Sequence, residues 1–139
     1  MADLKEIIKK LIKREKEEEW FEFKENWYDA KGIVEYISSL SNAAAIAGED
    51  NGYLIWGVNN STYEVTGTIV NYQRDVKNEP LQHYLARLVT PDIGFSFNEI
   101  KLSRKRVVVL EIPAATKTPT AFDGARYLRV GSSKVNLFR

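Results

Sequence analysis

The chain has 139 residues, 44% of them hydrophobic, with three Trp, seven Tyr, six Phe and no Cys, which is apolar material for one core of ordinary domain size and excludes disulfide staples and thiolate metal sites. The opening MADLKEIIKKLIKREKEEE is charged from its third residue, and no stretch approaches the roughly 18 consecutive apolar residues of a membrane span. Secretion and membrane insertion are therefore set aside, the cytoplasm is the expected location, and the sequons at Asn59 and Asn60 are chance matches. The formal net charge is only +1, but residues 27–100 hold four basic and nine acidic side chains while residues 101–139 hold nine basic and two acidic. The C-terminal third is thus a cationic surface suited to an anion.

In chain order, Leu4, Ile7, Ile8, Leu11 and Ile12 recur at helical spacing behind Asp3, which predicts an amphipathic helix from residue 3 to about 14. Trp20-Phe21-Glu22-Phe23-Lys24 favours a strand, with Phe21 and Phe23 on one face and Glu22 and Lys24 on the other. Ile33, Ile37, Leu40 and Ala44 form the stripe of a helix over 30–47, closed by Gly48, and its small residues permit close packing. Tyr53 to Val58 is a nearly continuous apolar run, the mark of a central strand. Asn59-Asn60-Ser61 predicts a turn, and Tyr63 to Thr68 a returning strand that completes a hairpin. Pro80 opens a helix carrying Leu81, Leu85 and Leu88, which Pro91 stops. Strands follow at about 94–102, at 106–112 and, after the Asp123-Gly124 turn, at 127–130. The class is α+β: a single domain over 1–139 with about three helices packed on a mixed or antiparallel sheet.

Four stretches stand out together: Glu17 with Glu22-Phe23-Lys24; Ile37-Ser-Ser-Leu-Ser-Asn42; Gly52-Tyr-Leu-Ile-Trp-Gly57-Val58; and Tyr127-Leu-Arg129-Val-Gly131-Ser132-Ser133. In order and spacing they resemble the Schlafen AlbA_2 domain over residues 17–134, behind an N-terminal helix in 1–16. Val65-Thr-Gly67-Thr and Asn78-Glu-Pro-Leu resemble the prokaryotic version of that family. The resemblance implies a nucleic-acid-binding domain, for RNA or DNA, of a regulator or defence protein. It also implies a longer parent carrying a C-terminal ATPase-like, helicase-like or winged-helix region, so that this chain is expected to be a short form or one module of such a protein.

The same resemblance implies a metal-binding acidic triad in relatives that cut RNA. Glu17 and Glu22 match its two glutamates as ligands for Mg or Mn, Lys24 would steady charge in the transition state, and Asn60 stands where the family has an aspartate. An amide at Asn60 removes one negative charge, which ranks cleavage below binding; Asp50 or Glu64 could substitute in space. The plainer reading of Glu17 is a solvated acidic run, and of Glu22 an ion pair with Lys24. For phosphate contact the candidates are Arg126, Arg129, Gly131, Ser132, Ser133 and Lys134, with Asn42 added by the family match. Their plainer reading is surface cations beside an ordinary turn, and for Asn42 a late-helix cap. Arg104-Lys105-Arg106 marks a hairpin turn that could join the basic face. Trp56 and Trp20 are assigned to the core, Trp27 and Tyr28 to base stacking. His83 has no catalytic partner, and no nucleotide-binding glycine motif is present. The competing class is a protein-interaction or homo-oligomerisation module, built on the first helix and the exposed aromatics.

Overall fold

The computed structural model describes residues 3–90, 93–116, 121–122, 125–130 and 133–136, with Thr90 and the last three stretches described by backbone alone. Helix α1 spans Leu4–Lys13 and strand β1 Phe21–Lys24. Helix α2 spans Ala30–Ala47, opened by the Asp29 carboxylate accepting from the Gly32 amide at 3.2 Å and closed by Gly48 in the left-handed region at φ 74°. After it come β2 (Asn51–Trp56), β3 (Asp75–Val76), β4 (Glu79–Pro80), α3 (Leu81–Leu88) and β5 (Val89–Thr90). The chain then runs through β6 (Ser96–Leu102), β7 (Lys105–Pro113), β8 (Ala121–Phe122), β9 (Ala125–Val130) and β10 (Ser133–Asn136).

The main sheet is mixed, in the order β1-β2-β7-β6. Its one parallel pair, β1 with β2, is joined through α2, since a parallel pair needs a crossover. Residues 53–56 of the apolar run accordingly lie inside the sheet, with β7 antiparallel on the other side, and Gly57 at φ 113° ends the strand. One face packs on α1, through Ile8, Leu11, Phe21, Phe23, Tyr53 and Ile55, all buried. The other face, with Leu54, Trp56, Val108 and Leu110, packs on α2 and α3.

A second sheet, β10-β9-β8-β5, lies on the far side of α2, so this helix runs between two sheets. That explains a burial pattern wider than one stripe. Ser38, Ser39, Ser41 and Asn42 are buried along with Ile33, Ile37 and Leu40, because small side chains let β9 approach the helix closely while the main sheet covers its opposite side. Ser41 Oγ donates to the Pro113 carbonyl at 2.8 Å, satisfying a hydroxyl that packing removes from water. Gly52 marks the tightest point. A Cβ there would stand 2.7 Å from the Leu40 carbonyl oxygen and 3.0 Å from that of Trp20.

The expected hairpin after β2 is a difference. Only the Val58–Val65 bridge forms, because Tyr63 at φ 61° and Gly67 at φ 79° interrupt extended backbone, and β7 takes the place of the returning strand. A hairpin not expected from the sequence, β3–β4, turns on Lys77 and Asn78, both at positive φ (50° and 68°) as a tight two-residue turn requires. Pro80 stands just before α3 rather than inside it. The Pro91 stop and the Asp123-Gly124 turn lie outside the described residues. Among the described residues no helix is long and apolar enough to cross a membrane.

Candidate nucleic-acid interface

Strand alternation in β1 sorts its four side chains. Phe21 and Phe23 enter the core under α1, while Glu22 and Lys24 pair in register with Leu54 and Trp56 and face α2. Glu22 is 4% exposed, and its Oε2 lies 3.4 Å from Lys24 Nζ. That ammonium also sits 5.1 Å from the Trp27 ring and 5.3 Å from the Tyr36 ring, which meet edge to face at 5.5 Å. Two ring faces and a carboxylate thus hold one partly buried cation, with each ring offering its negative face. Trp56 Nε1 donates to the Trp27 carbonyl at 2.7 Å and fixes the loop that carries the indole.

Glu17 serves the edge of the same strand. Its Oε2 accepts from the Phe23 amide at 2.8 Å, taking the position a neighbouring strand would fill. Asn60 is exposed in the turn after β2, where Asn59 does the structural work: Asn59 Oδ1 accepts from the Ser61 and Thr62 amides at 2.8 and 2.9 Å, and Nδ2 donates to Glu25 at 3.0 Å. Among the described residues no three side chains of the His, Cys, Asp and Glu set gather where they could hold a metal ion. Asp50 and Glu64 stand in separate loops.

The basic candidates fall on the second sheet. Register places Lys134 of β10 opposite Arg129 of β9, Ser133 opposite Val130, and Arg126 opposite Ala121 of β8. Gly131 and Ser132 lie outside the described residues. Asn42, 4% exposed, is inside the helix layer beneath this sheet rather than on its outer surface.

Elsewhere the basic turn divides by duty. Arg104 is exposed at φ 64°, but Lys105 Nζ donates to the Val65 carbonyl at 3.1 Å, and Arg106 bonds Glu99 at 2.7 Å and the Thr68 and Val70 carbonyls at 3.1 and 2.7 Å. Lys105 and Arg106 are pins for loop 65–70. The two stacking candidates have cations on their faces: Lys24 on Trp27, and Arg74, which sequence reasoning missed, 4.3 Å from the Tyr28 ring. Burial pushes the Tyr28 hydroxyl above the usual tyrosine range, against the pull of Arg74. Trp56 and Trp20 are core residues, as expected. His83 is exposed on α3.

These elements define a single α+β domain with a helix between two sheets, a buried glutamate–lysine pair on its first strand and a basic strand pair near its end. The model of the family described as Schlafen, AlbA_2 matches residues 17–137, and the chain belongs to that family. No curated protein matches significantly. Among solved structures, the N-terminal domain of a RecG-related protein from Nitrosomonas europaea is similar at a TM-score of 0.60 and 20% identity, covering 96% of this chain and 92% of that one. The DIP2311 protein from Corynebacterium diphtheriae is similar at a TM-score of 0.54 and 17% identity over 86% of this chain, which spans 22% of that protein. Both likenesses are of fold.

Proposed function

We propose that this domain binds RNA or DNA with little sequence preference, gripping phosphates through the β9–β10 strand pair. The observation that carries the reading is the register of Arg129 with Lys134, two cations opposite one another on neighbouring strands, within a C-terminal third of nine basic and two acidic residues. Phosphate neutralisation by such side chains, with release of condensed counterions, supplies most sequence-independent affinity. Family membership and the fold shared with the N-terminal domain of a RecG-related protein support the same reading. On this account Arg126 and Ser133 flank the grip of Arg129 and Lys134, and the module leads a longer chain with an ATPase-like or helicase-like part. The test is fluorescence anisotropy of labelled oligonucleotides: Arg129→Glu weakens binding, and an unchanged affinity removes Arg129 from the site.

A second reading, a metal-dependent endoribonuclease, is favoured by the buried Glu22–Lys24 pair. In that reading a divalent ion would draw on Glu22 and Glu17, and Glu17 would have to exchange its bond to the Phe23 amide for the ion. RNA cleavage in Mn²⁺ that Glu22→Ala abolishes would support it, and no cleavage in Mn²⁺ would remove it.

A further inference from the structure

Two adjoining grooves, of about 360 and 510 Å³, open beside Trp20 at the C-terminal end of α2 and share Trp20 and Glu49. Ala43 and Ala47 line the first and Tyr53 the second, while Glu18, Glu19, Glu49, Asp50 and Glu111 contribute carboxylates to the two. No lysine or arginine lines either groove among the described residues.

Three further features mark this place as built for a cation. The C-terminal end of a helix carries negative partial charge and ordinarily attracts basic side chains. The last turn of α2 has none, and Glu49 and Asp50 follow the Gly48 cap directly. Among the described residues no ion pair offsets Glu49 or Asp50, and a local rule broken in this way is a signature of a functional surface. Tyr53 lies in the same field: its hydroxyl is raised above the usual tyrosine range by burial first, then by Glu111, against a hydrogen bond with Asn51, and less by Glu49 and Asp50. Finally, the chain's own Arg14 shows what the edge of the groove accepts. Its guanidinium lies 5.6 Å from the Trp20 ring and is paired with Glu18.

An apolar anchor point is present as well. Ile46, on the wall of the first groove, is 74% exposed, one of only two large aliphatic side chains so placed among the described residues. A phosphate or an anionic membrane surface would be repelled here, and the carboxylates are not gathered in threes that could hold a metal. We propose that these grooves dock a lysine- and arginine-rich polypeptide segment of a partner protein that also carries an aliphatic side chain, its cations meeting the carboxylates and its aliphatic group covering Ile46. The surface lies at the α2 C-terminus and does not depend on the phosphate-gripping reading of β9–β10.

The test uses a fluorescein-labelled peptide alternating arginine pairs with leucine, followed by anisotropy against the whole chain. A matched peptide with serine for leucine and one with glutamate for arginine are the comparisons. The leucine-containing basic peptide binds, the glutamate peptide does not, and the serine peptide binds several-fold more weakly. Reversing two rim charges, Glu49→Lys with Glu111→Lys, weakens binding by about tenfold or more. Ile46→Ser, a change at an exposed position that leaves the core intact, weakens the leucine peptide but not the serine peptide. The control pair Glu64→Lys with Asp75→Lys makes the same change in net charge at exposed positions elsewhere and leaves affinity unchanged. The proposal is overturned by any of three results: no binding to the wild-type chain, equal losses in the control pair, or concentration-dependent self-association abolished by Glu49→Lys, which would make a second copy the occupant.

Discussion

Lys24 is held by three groups at once, the Glu22 carboxylate and the faces of Trp27 and Tyr36. A buried pair of this kind is costly to break from one side, because the remaining charge is left unpaired away from water. Lys24→Met is expected to destabilise the domain by roughly 2–4 kcal/mol, below the full range for breaking a buried pair because the lysine is partly exposed, and the double change Glu22→Gln, Lys24→Met by less than the sum of Glu22→Gln and Lys24→Met alone. Chemical denaturation of the four proteins checks this. Additive losses would show that the two side chains do not act as a pair. Surface charge behaves differently. The Arg87 guanidinium bonds Glu79 at 2.9 Å and holds its carboxyl below the usual carboxylate range. A group with a lowered folded-state pKa contributes stability that is present above its ordinary value and lost as pH falls through the lowered one. The difference in melting midpoint between wild type and Arg87→Ala should therefore be small, present at pH 7 and vanishing as the pH falls below the ordinary glutamate value; a difference that persists in acid contradicts the assignment.

At the scale of elements, α2 decides the architecture, because it must fit between two sheets. Its small residues and Gly52 are parts of one device. A methyl at Gly52 would meet backbone oxygen at 2.7 Å rather than a side chain able to move. Gly52→Ala is expected to cost about 2–3 kcal/mol through overpacking, read as a lower denaturation midpoint with an unchanged slope, while Ala47→Ser at the exposed end of the same helix should be near neutral. Much of this level was legible in the sequence. Helical spacing and the Gly48 cap bound α2 correctly, aromatic alternation sorted β1, and the apolar run at 53–58 marked the central strand, which the structure places at 51–56; the Asp29 cap was not read. The second sheet was not legible in full, since β5 and β8 are two residues each and carry no periodicity. The β3–β4 turn depends on positive φ at a lysine and an asparagine, which composition does not announce. The returning strand after β2 failed because alternation alone cannot foresee Tyr63 at positive φ or the longer apolar strand β7 that competes for the same edge.

The candidate site was legible in its residue types and less so in its geometry. The Glu22–Lys24 pair followed from alternation, but the Glu17 bond to a strand edge, the pinning of loop 65–70 by Lys105 and Arg106, and Arg74 over Tyr28 all join residues distant in sequence. A charge count cannot separate cations engaged inside the fold from cations left for a partner.

Over the whole molecule, charge is polarised. Carboxylates ring the α2 C-terminus and the grooves beside Trp20, while Arg126, Arg129 and Lys134 fall on the strands of the second sheet. On the proposed reading a polyanion is steered toward the second sheet and away from the grooves. The most direct measurement is the salt dependence of binding to labelled single- and double-stranded RNA and DNA, for the wild-type chain and for Arg129→Glu with Lys134→Glu. The account predicts a Kd of about 1–100 µM near physiological salt, a steep linear fall of log affinity with log salt, and a slope shallower by roughly two in the double variant. No binding to any probe, or an identical slope in the variant, would contradict it.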